Sequence, residues 1–122
     1  MNTVEYLKLG WCELCLNVAD LERSLGFYRK LGFNEIEVAT DEGWAVLEHA
    51  NLVLALYRGH IKENLINFRG GDVFKIAEEL KSSGLELADE AHIEEDGSAG
   101  FTIRDPDGNA IYFNTHPGEG EV

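Results

Sequence analysis

The sequence is poor in cysteine, proline and basic residues, and each shortage excludes a class of protein. Its 122 residues include two Cys and two Pro, and ten Lys and Arg stand against 23 Asp and Glu. Two cysteines are too few for a disulfide framework, which suits a reducing compartment. The formal net charge of −13 argues against nucleic acid and anionic membranes as partners, because both require a positive surface. The same charge permits a cationic small ligand.

Long apolar segments are also absent. No run approaches the roughly 20 residues that a membrane-spanning helix needs. The first ten residues, MNTVEYLKLG, have neither the basic nor the apolar region of a signal peptide. We therefore expect a cytoplasmic protein. With 44% hydrophobic and 27% charged residues, the length and composition predict one globular domain.

The chain contains an internal repeat with an offset of 52 residues. Residues 14–33 and 66–85 each read as an apolar strand, an Asp, an amphipathic helix and a Gly. Asp20 and Asp72 are typical helix N-caps. Gly32 and Gly84 suit the left-handed position after a helix. The repeat predicts two helices, with Leu21, Leu25 and Tyr28 on the buried face of the first and Val73, Ile76, Ala77 and Leu80 on that of the second.

Three strands are predicted after each helix, so that each half has the order βαβββ. In the first half these strands are residues 33–40, 43–49 and 51–57, and in the second half 85–95, 98–105 and 109–116. The sequence DPDGN at 105–109 predicts a tight turn. Residues 58–64 form the predicted linker, and residues 119–122 are predicted to be disordered. The acidic residues between Glu86 and Asp96 are typical of a solvated loop.

Two motifs resemble the vicinal oxygen chelate superfamily: LNVADLERSLGFYRKLGF at 16–33 and RDPDGNAIYF at 104–113. That superfamily includes glyoxalase I, the extradiol dioxygenases, fosfomycin-resistance enzymes and the bleomycin-resistance proteins. The resemblance implies a single α+β domain over residues 1–122, built from two tandem βαβββ modules at about 8–58 and 64–116. It further implies an open, cup-shaped mixed β-sheet with the helices outside, and a homodimer.

The resemblance also implies where a metal would bind, at four positions on the cup wall. Those positions hold Glu13, Ala55, Leu65 and Tyr112. Ala and Leu offer no lone pair, so the ligand set is incomplete. The four histidines (His49, His60, His92 and His116) lie outside these positions and are interpreted as scattered surface residues. We therefore expect no metal and no other cofactor, with Glu13 the ligand if a metal is present.

Strand alternation predicts which side chains share the wall with Glu13. The predicted ligand-binding residues are Glu13, Cys15, Trp44, Tyr57, Asn67, Arg69, Tyr112 and Asn114, and the side taken by Trp44 stays open. Glu13 and Arg69 either pair with each other or serve a ligand, Glu13 a cation and Arg69 a carboxylate or phosphate. No catalytic residue is assigned. The CELC segment at 12–15 is predicted to be a strand whose two cysteines are packing residues rather than a disulfide.

These features favour a metal-independent small-molecule-binding protein of the glyoxalase/bleomycin-resistance type. Its ligand would be a cationic drug or metabolite, held in the cup. The alternative is a glyoxalase-like or dioxygenase-like enzyme that uses a divalent metal at Glu13. A third possibility is an interaction module whose cup is filled by its own side chains.

Overall fold

The structure is a computed structural model that describes residues 8–119. Its contacts divide the chain into two compact units. The first unit is Glu13–Leu65, and the second consists of residues 8–12 together with residues 66–119. Each contains one helix and a mixed sheet in the order strand, helix, three strands. The prediction of an α+β fold with two βαβββ modules is confirmed.

The first unit is built on a four-stranded sheet with one helix, although residues 10–12 at the start of its first strand are assigned to the second unit. Its elements are β1 (Gly10–Asn17), α1 (Leu21–Leu31), β2 (Asn34–Ala39), a 3₁₀ turn (Thr40–Glu42), β3 (Trp44–His49) and β4 (Leu52–Tyr57). The strands lie in the order β2-β3-β4-β1. β1 runs parallel to β4, and the other neighbours are antiparallel. Along the chain, α1, β2 and β3 connect β1 to β4, because neighbouring parallel strands need a long connection.

The second unit repeats this arrangement. Its elements are β5 (Leu65–Gly70), α2 (Val73–Ser82), β6 (His92–Ile93), β7 (Ala99–Arg104) and β8 (Ala110–Thr115). The strands lie in the order β5-β8-β7-β6, and β5 runs parallel to β8. The DPDGN segment forms the predicted turn between β7 and β8, where the Asp105 carboxylate accepts hydrogen bonds from the backbone N–H groups of Asp107 and Asn109.

Both helices begin and end as the sequence predicts. The carboxylate of Asp20 accepts from the N–H of Arg23 at 3.1 Å, and Asp72 does the same for Lys75 at 3.2 Å. These bonds satisfy N–H groups that the first turn of a helix leaves without partners. Gly32 closes α1 with a φ of 104°, a left-handed conformation that glycine adopts without strain. Neither helix within residues 8–119 is long and apolar enough to cross a membrane.

Each helix packs its apolar face on one side of its own sheet. In the first unit the buried cluster consists of Leu21, Leu25, Ala45, Leu47, Leu54 and Leu56. In the second unit it consists of Val73, Ile76, Ala77, Ala99, Phe101, Ile103 and Phe113. The rings of Phe101 and Phe113 stack with centroids 4.8 Å apart. Burying each of these large apolar side chains contributes about 1.5–3 kcal/mol, so the two cores hold the helices in place.

The predicted strand at 85–95 is much shorter than expected, because only His92–Ile93 pairs with β7. Beside Thr102 of β7, the regular hydrogen bonds between strands are replaced by other contacts. The N–H of Thr102 donates to the side chain of Asp89 at 2.6 Å, while its carbonyl accepts from the N–H of Ala88. A side-chain carboxylate thus takes the place of a backbone carbonyl, and the strand ends. The acidic residues of this segment are exposed, as predicted.

The prediction of disorder at 119–122 is wrong for Glu119, and residues 120–122 lie outside the described residues. Residues 116–119, with the sequence HPGE, form a turn in which the N–H of Glu119 donates to the carbonyl of His116 at 3.0 Å. Gly118 has a φ of 88°. Pro followed by a left-handed Gly is the signature of a type II turn, and the Pro-Gly pair was the overlooked signal.

Replacing Leu25 by Ala tests how far the first core depends on α1. Leu25 is 0% exposed, whereas Leu31 on the same helix is 57% exposed. We expect Leu25→Ala to lower the free energy of unfolding by about 2–5 kcal/mol, because it opens a cavity in a packed core. Leu31→Ala is the matched control and should change it by less than about 0.5 kcal/mol. Urea unfolding followed by circular dichroism measures both, and equal effects would contradict this packing.

Candidate functional site

In the first unit, the predicted site residues share the sheet face that α1 does not cover. The register aligns Asn17 with Tyr57 and Trp44, and Cys15 with Ala55 and Val46. Residues in register point to the same face. Glu13, aligned with Val53, is two residues from Cys15 and belongs to that face as well. Trp44 therefore lies on the same side as Glu13, which the sequence had left open.

Burial along this face is uneven. Glu13 is 5% exposed and Cys15 is buried with it, whereas Trp44 and Tyr57 are half-buried. The aromatic rings therefore remain reachable, and the carboxylate lies deeper. Cys12 and Cys15 are not joined by a disulfide, as the sequence predicts. The prediction that both are packing residues is wrong for Cys12, which is exposed.

An aromatic group lies at the end of this face where β4 ends. The indole N–H of Trp44 donates to the carboxylate of Glu42 at 3.0 Å. The ring of His60 packs edge-on to Tyr57 with centroids 6.0 Å apart, and its Nε2 lies 2.6 Å from the carbonyl oxygen of Glu42. His60 was expected to be a scattered linker residue. No sequence pattern pointed to this contact, because it joins a linker residue to the turn before β3.

In the second unit, the four predicted site residues also share the face opposite the helix. Asn67 aligns with Tyr112, and Arg69 aligns with Asn114. Asn67 is 5% exposed. Its Nδ2 donates to the carbonyl of Tyr112 at 3.0 Å and to Oδ1 of Asn114 at 2.9 Å. Buried amides need such partners, and these bonds fix the orientation of both asparagines.

Arg69 has a carboxylate partner that the sequence did not predict. Its Nε donates to both carboxylate oxygens of Glu119, at 2.9 and 3.2 Å. Its guanidinium carbon also lies 5.9 Å from the ring centroid of Trp11, within range of a cation–π interaction. The partner expected for Arg69 was either Glu13 or a ligand carboxylate or phosphate. The structure supplies a carboxylate from the turn 116–119, and the pairing with Glu13 stays a prediction.

His116 belongs to the same group and is not a scattered surface histidine. Its Nδ1 lies 3.3 Å from Oε1 of Glu119 and is buried, with no hydrogen-bond partner among residues 8–119. Its Nε2 lies 3.9 Å from the carboxylate of Asp96. The turn 116–119 therefore places an imidazole beside the Arg69–Glu119 pair.

Charge and burial set the protonation of two groups on this face. Burial raises the pKa of the Tyr112 hydroxyl, and the nearby carboxylates of Glu94, Asp89 and Asp96 raise it further. Tyr112 is therefore a neutral hydrogen-bonding group at neutral pH. Burial alone would raise the pKa of the Glu119 carboxyl, but the backbone N–H of His116 and the Arg69 guanidinium hold it below its ordinary value.

The four positions at which the resemblance implies metal ligands hold an incomplete set of donor atoms. Ala55 is buried on the Glu13 face, yet it and Leu65 lack any donor atom. Tyr112 keeps its proton at neutral pH, and its hydroxyl packs against Gly100. Within residues 8–119, no three His, Cys, Asp or Glu side chains are grouped so that they could hold a metal. Metal independence itself stays a prediction.

Comparison with protein families gives one match over most of the chain. The model of the glyoxalase/bleomycin resistance protein/dioxygenase superfamily matches residues 8–113. A comparison with curated protein sequences gave no match. The match covers both βαβββ units.

Solved structures share the fold at low sequence identity. A glyoxalase/bleomycin resistance protein/dioxygenase superfamily member from Vibrio splendidus is 18% identical, with a TM-score of 0.63 over 85% of this chain and 97% of that one. A structure named NAD-dependent benzaldehyde dehydrogenase, from Legionella pneumophila, is 16% identical, with a TM-score of 0.73 over 86% of this chain and 98% of that one. A hypothetical protein from Bacillus halodurans is 16% identical, with a TM-score of 0.66 over 90% and 96%.

Adding a methyl group at Gly100 tests the packing of Tyr112. A Cβ at Gly100 would lie 2.3 Å from the Tyr112 hydroxyl oxygen, whereas a Cβ at Gly26 would meet nothing within 4 Å. We expect Gly100→Ala to lower the free energy of unfolding by about 1–3 kcal/mol through overpacking. Gly26→Ala, in α1, should raise it by about 0.4–1 kcal/mol. Chemical unfolding of both variants checks the signs, and a neutral Gly100→Ala would contradict the contact.

The Arg69–Glu119 pair predicts a dependence of stability on pH. A carboxyl with a lowered pKa in the folded state stabilises the protein above its ordinary pKa, and this contribution is lost as pH falls through the lowered value. Glu119→Gln should therefore cost about 1 kcal/mol or less near neutral pH, and this difference from the wild type should shrink in acid. Urea unfolding at a series of pH values measures it. Glu95→Gln, at an exposed position, is the control, and a difference independent of pH would contradict the pairing.

Proposed function

This chain belongs to the glyoxalase/bleomycin resistance protein/dioxygenase superfamily, and we propose that it binds a cationic small molecule without using a metal ion. We assign the ligand to the face of the first unit that carries Trp44, Tyr57 and Glu13. The observation that carries this proposal is the register of β3 and β4, which aligns Trp44 with Tyr57. Two half-buried aromatic rings on one sheet face give a cation a surface to contact.

Charge on the same face supports a cation over an anion. The Glu42 carboxylate accepts from the Trp44 indole, and the Glu13 carboxylate lies on the same face. Contact of a cation with an aromatic ring is worth about 0.5–1 kcal/mol at exposed sites and more where water is excluded. The net charge of −13 adds a field that attracts cations to the whole molecule.

The fold alone does not choose the ligand. The superfamily includes resistance proteins and dioxygenases, and one fold commonly carries several chemistries. The proposal therefore depends on the residues at the site. Ala55 and Leu65 leave the metal-ligand set incomplete, and the aromatic group with its carboxylates favours binding.

A divalent-metal enzyme is the second candidate, and one observation favours it. Glu13 is a carboxylate that is only 5% exposed, and it holds one of the four ligand positions. Carboxylate oxygens are ligands that divalent metals accept. Protein purified without chelators and analysed for metals distinguishes the two. One equivalent of Fe, Mn, Ni, Zn or Co would support the enzyme and contradict our proposal.

The binding proposal is tested with a metal-free basic glycopeptide of the bleomycin class as the probe. We expect micromolar affinity by titration calorimetry, weakening as salt screens the acidic surface. The chain has two tryptophans, Trp11 and Trp44, so each can report alone. In Trp11→Phe the probe should change the fluorescence of Trp44, whereas in Trp44→Phe it should leave that of Trp11 unchanged. Tyr57→Leu should weaken binding about fivefold, since it removes roughly 1 kcal/mol of cation–π contact.

Phe27→Leu provides the matched control for Tyr57→Leu, because Phe27 is an exposed aromatic residue on α1. Its affinity for the glycopeptide should equal that of the wild type. The absence of heat at micromolar protein would contradict specific binding of this drug class. A fluorescence change at Trp11 alone would contradict the assignment to the first unit.

A further inference from the structure

We propose that Arg69, in the second unit, is the centre of a carboxylate-binding site that the chain's own Glu119 fills, and that a planar carboxylate ligand enters by displacing the turn 116–119. The site lies on β5 and β8 and the residues that pack on them. It is tested with an anionic probe read out at His116, whereas the proposed cation site is tested with a cationic probe read out at Trp44. Failure of one proposal is therefore distinguishable from failure of the other.

The contact between Arg69 and Glu119 shows what the site recognises. The Arg69 Nε donates to both oxygens of the carboxylate, at 2.9 and 3.2 Å. The planar guanidinium offers its N–H groups in a fork that matches a carboxylate. The Glu119 carboxylate therefore stands in for the carboxylate of a ligand.

The surroundings of Arg69 favour a flat ligand. The ring of Trp11 lies 5.9 Å from the guanidinium carbon and is 41% exposed. A Cβ at Gly70 would lie 2.3 Å from the Trp11 ring, so glycine at this position leaves the space that the ring occupies. Asn114 is in register with Arg69, and its Oδ1 accepts from Nδ2 of Asn67. An aromatic plane beside a guanidinium matches an aromatic carboxylate.

Few contacts hold the cover over Arg69. Within the turn 116–119, the Glu119 N–H donates to the His116 carbonyl and the His116 N–H donates to the Glu119 carboxylate. Outside the turn, Glu119 pairs with Arg69, and Nε2 of His116 lies 3.9 Å from the Asp96 carboxylate. The side chains of Arg69 and Glu119 remain 30% and 20% exposed, so water and solutes reach the pair. With the turn closed, Nδ1 of His116 is buried and has no hydrogen-bond partner among residues 8–119, and displacing the turn lets that atom bond to water.

Competition from Glu119 determines how much the affinity for a carboxylate ligand should rise when the Glu119 carboxylate is removed. A tethered group competes at an effective concentration in the millimolar range. The apparent dissociation constant of a ligand rises in inverse proportion to the fraction of sites that are open. If the pair is closed about nine-tenths of the time, removing the Glu119 carboxylate tightens binding about tenfold.

The experiment uses benzoate as the probe and benzamide, its uncharged analogue, as the control. Backbone amide signals are followed by NMR in the whole chain at about 0.15 M salt, where the acidic surface is screened beyond roughly 8 Å. In the wild type we expect benzoate to shift the His116 amide, because that N–H loses its bond to Glu119. Benzamide should not shift it. Glu119→Gln should bind benzoate about tenfold more tightly, whereas Glu95→Gln, at an exposed acidic position, should match the wild type.

Two variants at Arg69 keep the test decisive. Arg69→Gln should abolish the response to benzoate, and Arg69→Lys, which keeps the charge but lacks the fork, should weaken it. Dispersed amide spectra establish whether each variant is folded. If Arg69→Gln does not fold, the affinities of Arg69→Lys and Glu119→Gln for benzoate test the proposal. Equal affinity of wild type and Glu119→Gln for benzoate would overturn the proposal. So would a folded Arg69 variant that binds benzoate as well as the wild type does.

Discussion

Each sheet of this protein buries one face under an amphipathic helix, and the placement of the other side chains follows from this packing. In the first unit the helix residue Leu25 is fully buried, and in the second unit the strand residue Phe101 is fully buried. Strand side chains alternate between faces, so committing Leu54 and Leu56 to the helix side sends Ala55 and Tyr57 to the other. For this reason the polar and aromatic residues of the candidate sites lie on the faces that the helices do not cover. A slip of one residue in the strand register would exchange them with the apolar residues that face the helices.

Two aromatic rings of the second unit are further positioned by packing closely against glycine backbone. Tyr112 extends over Gly100, and Trp11 lies against Gly70, where any side chain would occupy the space of the ring. Such contacts hold a side chain in one orientation without a hydrogen bond. They keep Trp11 beside Arg69, while burial and nearby carboxylates raise the pKa of Tyr112 and leave it a neutral hydrogen-bonding group. The second unit thus has a preorganised polar face, to which the turn 116–119 contributes a carboxylate.

The two uncovered faces differ in chemistry although the units share one fold. The face in the first unit combines aromatic rings with carboxylates, which suits a cation. The face in the second unit centres on a guanidinium and two amides, which suits an anion. Membership of the superfamily accounts for the shared βαβββ architecture. Ala55 and Leu65, which lack donor atoms, stand at two of the positions where the resemblance implies metal ligands.

The sequence by itself determined the repeated βαβββ order, the helix caps at Asp20 and Asp72, and which residues of one strand share a face. These features depend on local chemistry and on the period of two along a strand, so a short window of residues is enough to predict them. Only the tertiary structure decided the side taken by Trp44, the contact of His60 with Tyr57, the early end of the strand near Asp89, and the pairing of Arg69 with Glu119. Each of these joins residues from separate elements, and their partners are chosen by how strands pair and turns fold back, which no local pattern records.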